Sequence, residues 1–249
     1  MRPLIVGNWK CNPTTLVEAK RLFNLVKIGV KKIRNTEVVI CPPFPYLAEF
    51  FDRCRKIQHL KLGAQDCFWE EKGAFTGEVS PKMLKDLNCE YIIIGHSERR
   101  RYFRENNEMI NKKIKAVLNF GLKPILCIGE TEKERKKGKA KEILKEQLQK
   151  GTESIKNLVV AYEPVWAIGT GKACGITEAK EAYSFIKRLA KNVPILYGGG
   201  VNSQNARDFI KKVGFQGLLV GGASLNPQEF TKIVKAVSSI PKCNILFFD

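Results

Sequence analysis

Residues 158–172 have the sequence LVVAYEPVWAIGTGK, a run of strand-forming residues that ends at a carboxylate, Glu163, and continues into a glycine-rich loop. The run is continuously apolar rather than alternating, which is typical of a parallel strand covered on both faces. Seven other stretches share this character: LIVGNW (4–9), VVIC (38–41), LKLGAQ (60–65), YIIIGH (91–96), PILCIGE (124–130), PILYGG (194–199) and GLLVGG (217–222). The sequence therefore predicts eight short parallel strands.

Segments with helical periodicity lie between these runs. Examples are LVEAKRLFNLVKIGVKKI (16–33), NEMINKKIKAVLNF (107–120), TEKERKKGKAKEILKEQLQK (131–150), TEAKEAYSFIKRLAK (177–191), SQNARDFIKKV (203–213) and PQEFTKIVKAV (227–237). Thr177 and Ser203 are suitable N-caps for two of them. Eight β-then-α units in 249 residues predict an α/β fold, a single (β/α)8 TIM barrel of eight parallel strands ringed by helices. An open, doubly wound sheet would give the same alternation.

The polar residues of the predicted strands favour the barrel. They fall at the strand ends: Asn8, Lys10, Gln65, His96, Glu130 and Glu163. In a barrel the C-terminal ends of the strands form one rim, and the active site is assembled there. We expect the barrel to occupy residues 1–240 and residues 241–249 to be a C-terminal tail of unknown role.

The composition is that of a folded globular protein, with 44% hydrophobic and 27% charged residues. No run approaches the length of a membrane-spanning helix, and Asn8 and Lys10 interrupt the N-terminus before an apolar signal core could form. We therefore expect a cytoplasmic protein without a membrane partner. The eight cysteines are scattered without Cys-x-x-Cys spacing, so we expect reduced thiols and no metal site.

The chain is strongly basic, with 43 Lys plus Arg against 25 Asp plus Glu and a net charge of +18. Such a balance is compatible with nucleic acid, an anionic membrane or small anionic substrates. Most lysines alternate with glutamates and apolar residues in helical patterns such as 131–150, which favours solvated helix faces. We expect no nucleic-acid partner, and a polyanion-binding protein remains the alternative from another functional class.

Glu163 is the first candidate for chemistry because its neighbours in the sequence are apolar. Burial would raise the pKa of its carboxyl group and make it a stronger base toward a carbon acid. A structural ion pair is the alternative. The loop that follows combines a stiff start, Pro164 and Trp166, with a flexible tip of Gly169, Gly171 and Lys172, as expected of a lid that closes over a ligand.

His96 and Lys10 are candidates for stabilising a developing negative charge. His96 directly precedes SERR, and a helix beginning at Ser97 would disfavour the imidazolium form and leave a neutral donor. Lys10 follows the first strand, where an ammonium group would favour an anionic oxygen. The second histidine, His59, lies in the polar stretch RKIQHLK, and we expect it at the surface.

Glycine clusters follow the last two strands, GGG at 198–200 and VGGAS at 220–224. Loops at this place in barrels often bind phosphate through backbone N–H groups. A base, a neutral acid, a cation, a lid and a phosphate site together suggest proton abstraction next to a carbonyl in a small phosphorylated substrate. The sequence contains no dinucleotide fingerprint or metal motif, so we expect no cofactor.

These residues resemble the triosephosphate isomerase family. GNWKCN, IIIGHSERR, CIGE, AYEPVWAIGTGK, YGGG and VGGASL stand in that family's order and spacing over residues 3–238. The resemblance implies interconversion of dihydroxyacetone phosphate and D-glyceraldehyde 3-phosphate through an enediolate, a step of glycolysis and gluconeogenesis. A glutamate base, a neutral histidine and a closing loop are the established features of this family.

The resemblance also implies a role for individual residues. Glu163 would act as the base, with His96 and Lys10 stabilising and reprotonating the substrate oxygens. Substrate would be held by Asn8, Lys10, Gly169, Gly200, Gly221 and Gly222. Glu98, Cys127 and Glu130 would support these groups. The family's usual serine at position 200 is glycine here, and the missing hydroxyl would leave the closed lid less firmly held.

A homodimer is implied as well. The segment KGAFTGEVSP (72–81) resembles the family's interface loop, so Thr76, Gly77 and Glu78 would contact a second subunit, as would Cys11. A thiol at position 11 would make dimerisation sensitive to thiol reagents. Another phosphate-binding barrel, such as a Schiff-base aldolase using Lys10, remains the alternative within the same fold.

Overall fold

The structure is a computed structural model that describes residues 2–55, 57–153, 155, 157–169 and 174–241. Its centre is a closed barrel of eight parallel strands. The strands are β1 (Leu4–Asn8), β2 (Glu37–Cys41), β3 (Leu60–Ala64), β4 (Cys89–Ile94), β5 (Lys123–Ile128), β6 (Val159–Tyr162), β7 (Ile195–Tyr197) and β8 (Gly217–Val220). This confirms the predicted barrel and excludes the open sheet, because β1 pairs with both β2 and β8.

Ten helices follow the strands in the described residues. They are α1 (Leu16–Val30), α2 (Leu47–Arg55), α3 (Pro81–Asp86), α4 (Ser97–Phe103), α5 (Asn107–Asn119), α6 (Glu132–Lys136), α7 (Ala140–Gly151), α8 (Ile176–Leu189), α9 (Ala206–Asp208) and α10 (Pro227–Ser238). Short 3₁₀ turns occupy Phe44–Tyr46, Val165–Ala167 and Gly222–Leu225, and a π-helical turn, Phe209–Val213, continues α9. No helix in these described stretches has the length and apolar character that crossing a membrane requires.

The apolar residues of the strands form two layers. One set points into the barrel and includes Val6, Val39, Ile93 and Leu219. The alternate set, which includes Ile5 and Ile40, packs outward against the helices. Both faces of each strand are thus covered, which explains the continuous apolar runs in the sequence.

Several local expectations were wrong. The stretch 131–150 forms two helices, α6 and α7, separated at Gly138, whose φ of 72° lies in the left-handed region. Thr177 and Ser203 do not cap helices, since α8 begins after Gly175 and α9 after Asn205. His59 is buried rather than at the surface. Its Nε2 lies 2.9 Å from the carbonyl oxygen of Val30, a hydrogen bond that offsets the cost of burying the ring.

Candidate active site

A cavity of about 380 Å³ opens at the C-terminal rim of the barrel. Its walls include Asn8, Lys10, His96 and Glu163. Asn8 ends β1 and Lys10 follows it, while His96 follows β4 and Glu163 follows β6. These side chains are far apart in the sequence and meet because parallel strands end on the same rim. The rim therefore brings together the three residues expected to be catalytic.

Glu163 and His96 contact each other directly across this rim. Oε1 of Glu163 lies 3.1 Å from Nε2 of His96, and its Oε2 accepts a hydrogen bond of 3.3 Å from the backbone N–H of Ser97. Both residues are buried, at 2% and 5% exposure. Nδ1 of His96 accepts the backbone N–H of Glu98 at 3.2 Å, so a neutral ring carries its proton on Nε2.

The pKa values of this pair differ from the sequence-based expectation. Burial raises the pKa of Glu163, but His96, the N–H of Ser97 and Lys10 together outweigh it and hold the pKa below 4.5. Burial lowers the pKa of His96, but the carboxylates of Glu163 and Glu98 hold it above 6.5. The expected directions were wrong for this arrangement because each group faces an oppositely charged partner that the sequence did not show.

Lys10 also lines the cavity, and its backbone has a left-handed conformation with a φ of 53°. Its Nζ donates to Oε1 of Glu98 at 2.5 Å, and its backbone N–H donates to Oδ1 of Asn8 at 3.0 Å. Gln65 donates to the carbonyl oxygen of Lys10 at 2.9 Å. From the sequence, Gln65 was only a polar residue at a strand end. Its bond to Lys10 arises because the ends of β1 and β3 lie on either side of β2.

Glycines form the remaining side of the cavity, at Gly169, Gly200, Gly221 and Gly222. A Cβ atom at Gly222 would meet nothing within 4 Å, and one at Gly221 would meet only the Lys10 side chain, at 3.5 Å. The space in front of these backbones is therefore open to a ligand. N–H groups at such positions are suitable donors to an anion.

Glu130 does not line the cavity, and it holds the start of the loop that follows β6. It is fully buried at 0% exposure and accepts hydrogen bonds from Tyr162 at 3.2 Å, Trp166 at 3.0 Å and Arg135 at 3.1 Å. Cys127 is also buried, and proximity to Glu163 adds to burial in raising the pKa of its thiol. Both residues thus occupy supporting positions.

The lid is described only in part. Pro164 and Trp166 begin it, and Gly169 has a φ of 73°. Gly171 and Lys172 lie outside the described residues, as do residues 242–249 of the tail. After the gap, the backbone N–H of Cys174 donates to the hydroxyl of Tyr197 at 3.1 Å, a contact that sequence reasoning missed because both residues looked like ordinary core positions.

Thr76, Gly77 and Glu78 do not line the cavity, whereas Cys11 lies between two residues that do, Lys10 and Asn12. Cys11, Thr76, Gly77 and Glu78 are all exposed in the single chain. Within the described residues there is no group of three or more His, Cys, Asp or Glu side chains arranged to hold a metal ion.

Comparison with known proteins identifies the family. The family model described as triosephosphate isomerase matches residues 3–237. The chain is 45% identical to the triosephosphate isomerase of Dictyoglomus thermophilum, over 94% of this chain and 99% of that protein. The chain belongs to the triosephosphate isomerase family.

Further relatives agree with this membership. The triosephosphate isomerase of Dehalococcoides mccartyi strain BAV1 is 44% identical over 96% of this chain and 98% of that protein. The crystal structure of triosephosphate isomerase from Bartonella henselae superposes with a TM-score of 0.85 at 32% identity, over 95% of this chain and 99% of that chain. The family resemblance predicted from the motifs is thereby confirmed.

Proposed function

We propose that this chain interconverts dihydroxyacetone phosphate and D-glyceraldehyde 3-phosphate by proton transfer through an enediolate. The observation that carries the proposal is the convergence of Glu163, His96 and Lys10 on one cavity whose remaining side is lined by glycine backbones. A carboxylate, an imidazole and an ammonium group are the set that moves a proton between two carbons while stabilising charge on oxygen.

The reaction begins when Glu163 takes a proton from the hydroxyl-bearing carbon beside the carbonyl. The electrons of the broken C–H bond form the carbon–carbon double bond, and the carbonyl π electrons move onto oxygen. Lys10 balances the negative charge while His96 gives its Nε2 proton to that oxygen and then takes the proton of the neighbouring hydroxyl group. The electrons left on the second oxygen form the new carbonyl, and the electrons of the carbon–carbon double bond take the proton from Glu163 onto the former carbonyl carbon.

Substrate binding also changes the basicity of the pair. In the free site each partner's charge favours the charged form of the other. Substrate between them separates Glu163 from His96, so burial becomes the main influence on both. The pKa of Glu163 then rises and that of His96 falls, which yields a stronger base and a neutral donor where the reaction needs them.

The glycine-lined side of the cavity is the proposed phosphate site. Backbone N–H groups at Gly169, Gly200, Gly221 and Gly222 would donate to the phosphate oxygens, and Asn8 and Lys10 would hold the rest of the substrate. The loop that starts at Pro164 would close over the phosphate and exclude water. Excluding water protects the enediolate from losing its phosphate.

We further propose a cytoplasmic homodimer in which the loop around Thr76 reaches a second copy beside Cys11. Residues 71–78 are all exposed in the single chain. Tyr102 and Phe103, the last two residues of α4, each expose 65% of their area. Exposed aromatic residues of this kind are common at interface cores. Labelling Cys11 in the native protein should dissociate the dimer; unchanged mass and activity after labelling would contradict this.

A coupled assay with D-glyceraldehyde 3-phosphate tests the reaction. The purified protein should form dihydroxyacetone phosphate without added metal or cofactor and should incorporate solvent deuterium at the exchanged carbon. Borohydride should trap no Schiff base at Lys10, which separates the proposal from the aldolase alternative. A protein without isomerase activity that binds DNA at physiological salt would instead favour the polyanion alternative.

A further inference from the structure

Arg100 lies on α4, behind the active-site cavity, and its guanidinium group contacts three separate elements. Nε donates to the carbonyl oxygen of Gly95 at 2.8 Å, in the turn between β4 and α4. Nη2 donates to the carbonyl oxygen of Cys127 at 3.3 Å, in β5. Nη1 donates to Oδ1 of Asn107 at 2.7 Å, at the start of α5.

Two of these acceptors adjoin residues of the proposed reaction. Gly95 directly precedes His96, and its φ of 71° forms the sharp turn that directs the imidazole into the cavity. Cys127 lies beside Glu163, and burial and then the charge of that carboxylate raise the pKa of its thiol. Arg100 therefore connects the backbone that carries His96 with the strand that supports Glu163.

The guanidinium group of Arg100 contacts no carboxylate directly. Among the described residues it forms no ion pair, its acceptors are two carbonyls and an amide, and Glu105 and Glu163 attract it only from a longer distance. Burial lowers its pKa. The adjacent Arg99, in contrast, pairs with Asp66 at 2.9 Å and with Glu105 at 2.6 Å. A partly buried cation that is held by neutral acceptors rather than by a contacting carboxylate costs stability, so its presence here calls for a role besides stability.

An empty cavity lies beside the hydrogen bonds that Arg100 makes to Gly95 and Cys127. This second cavity, of about 310 Å³, is lined by Gly95, Arg100, Cys127 and the back of Glu163. Without the guanidinium group, the turn before His96 would border this space and could relax into it. Packing around the turn is tight, since a Cβ atom at Gly95 would come within 2.8 Å of Ile110 and within 3.1 Å of Nη2 of Arg100.

We infer that Arg100 is a positioning residue, whose three hydrogen bonds fix the β4–α4 turn against β5 and so set the separation of His96 and Glu163. The inference rests on the proposed isomerase function. A shift of about 1 Å in reacting groups can lower a rate by about 10²-fold, which sets the size of the expected effect. The glycine-lined phosphate side lies across the cavity and is not held by Arg100.

The test compares Arg100→Lys, Arg100→Gln and Arg100→Ala with Arg101→Gln, which removes an exposed arginine from the same helix. Thermal unfolding first establishes that each variant is folded. Arg100→Gln should lower kcat about 10²-fold with a KM close to that of the wild type. Arg100→Lys keeps the charge but cannot form the three hydrogen bonds, so its kcat should lie between those of Arg100→Gln and the wild type. The kcat of Arg101→Gln should match that of the wild type.

Guanidinium chloride at millimolar concentration adds a readout that a purely structural role would not move. The ion fits the space left in Arg100→Ala and should restore part of kcat, whereas neutral urea at the same concentration should not. Wild-type kcat in folded Arg100→Gln, or guanidinium that raises the Tm of Arg100→Ala without raising kcat, would overturn the inference. An inactive wild type would instead overturn the proposed function, so the two failures are distinguishable.

Discussion

Glu163 and His96 were identifiable in the sequence because each stands at the end of an apolar run, yet their mutual contact was not. The contact of 3.1 Å joins residues that directly follow the ends of β4 and β6, two strands that lie on either side of β5. The sequence-based expectation considered burial for Glu163 and a helix N-terminus for His96, without the charge of the other residue, and therefore gave both pKa shifts the wrong direction.

The ligand-free pair should make stability depend on pH in a definite direction. The lowered pKa of Glu163 stabilises the fold above pH 4.5, and this contribution is lost as pH falls through the lowered value. The raised pKa of His96 stabilises the fold below pH 6.5, and this contribution is lost as pH rises through the raised value. The pair is therefore most stabilising between these two pH values.

Thermal unfolding of the wild type and Glu163→Gln measures this contribution, although Lys10, Glu98 and Cys127 also face the pair. The difference in Tm, wild type minus variant, should be most positive near pH 6 and should decrease toward about pH 9. Glu132→Gln, which removes an exposed partner of Lys136, is the matched control and should show no such trend. A wild-type advantage that is constant over this range would contradict the ion pair.

Position 200 allows a controlled test of the missing hydroxyl. Gly200 has a φ of 60°, so any side chain there is strained, and Gly200→Ser alone would mix strain with the new hydroxyl group. Gly200→Ala carries the same strain without the hydroxyl. If serine latches the lid, a phosphate-bearing transition-state analogue should bind Gly200→Ser about fivefold more tightly than Gly200→Ala, the value of one hydrogen bond. Equal affinities would exclude a latch at this position.

Among the elements, the strands were predictable and the helix ends were not. Continuous apolar runs identified all eight strands, because burial on both faces leaves a mark at every position. Helix ends depend instead on local backbone geometry. Gly175 and Asn205, rather than Thr177 and Ser203, precede α8 and α9. A glycine at a close approach between two elements, such as Gly129, cannot be distinguished in the sequence from any other glycine.

Gly129 follows β5 and lies against the backbone of Glu163. A Cβ atom at Gly129 would be 1.7 Å from the carbonyl oxygen of Glu163, so Gly129→Ala must push the end of β6 away. We expect a loss of about 1–3 kcal/mol in the free energy of unfolding, together with a large loss of activity. Denaturant unfolding and the isomerase assay measure the two effects.

Gly151 is the matched control for this substitution. It lies at the end of α7, and a Cβ atom there would meet its nearest neighbour, Leu126, at 3.4 Å. Gly151→Ala should be neutral or stabilising by up to about 1 kcal/mol, because alanine favours the helix. If Gly129→Ala behaves in the same way, the close approach to Glu163 does not constrain the site.

For the whole molecule, the sequence predicted the barrel and the rim that carries the site, because both follow from the order of the units. The high positive charge was left without an explanation. Surface ion pairs such as those of Lys136 with Glu132 and Lys150 with Glu146 do not account for it, because the net charge already counts the glutamates. The net charge of +18 produces a strong positive field around a site for an anionic substrate.

This field should steer the substrate. We expect kcat/KM to fall as ionic strength rises from about 0.01 to 0.3 M while kcat stays nearly constant, because screening weakens the attraction at distance and leaves the contacts in the site. Potassium chloride titration of the steady-state rate measures both constants. A kcat/KM that does not depend on salt would show that the excess charge plays no part in substrate capture.

The central claim is that Glu163 is the base that transfers the proton. The most direct measurement is the isomerase rate of Glu163→Asp against the wild type, since aspartate keeps the carboxylate but withdraws it by about one methylene, roughly 1 Å, from the substrate carbon. The account predicts a kcat lower by about 10²-fold or more with KM nearly unchanged. A Glu163→Asp variant that turns over at the wild-type rate would contradict it.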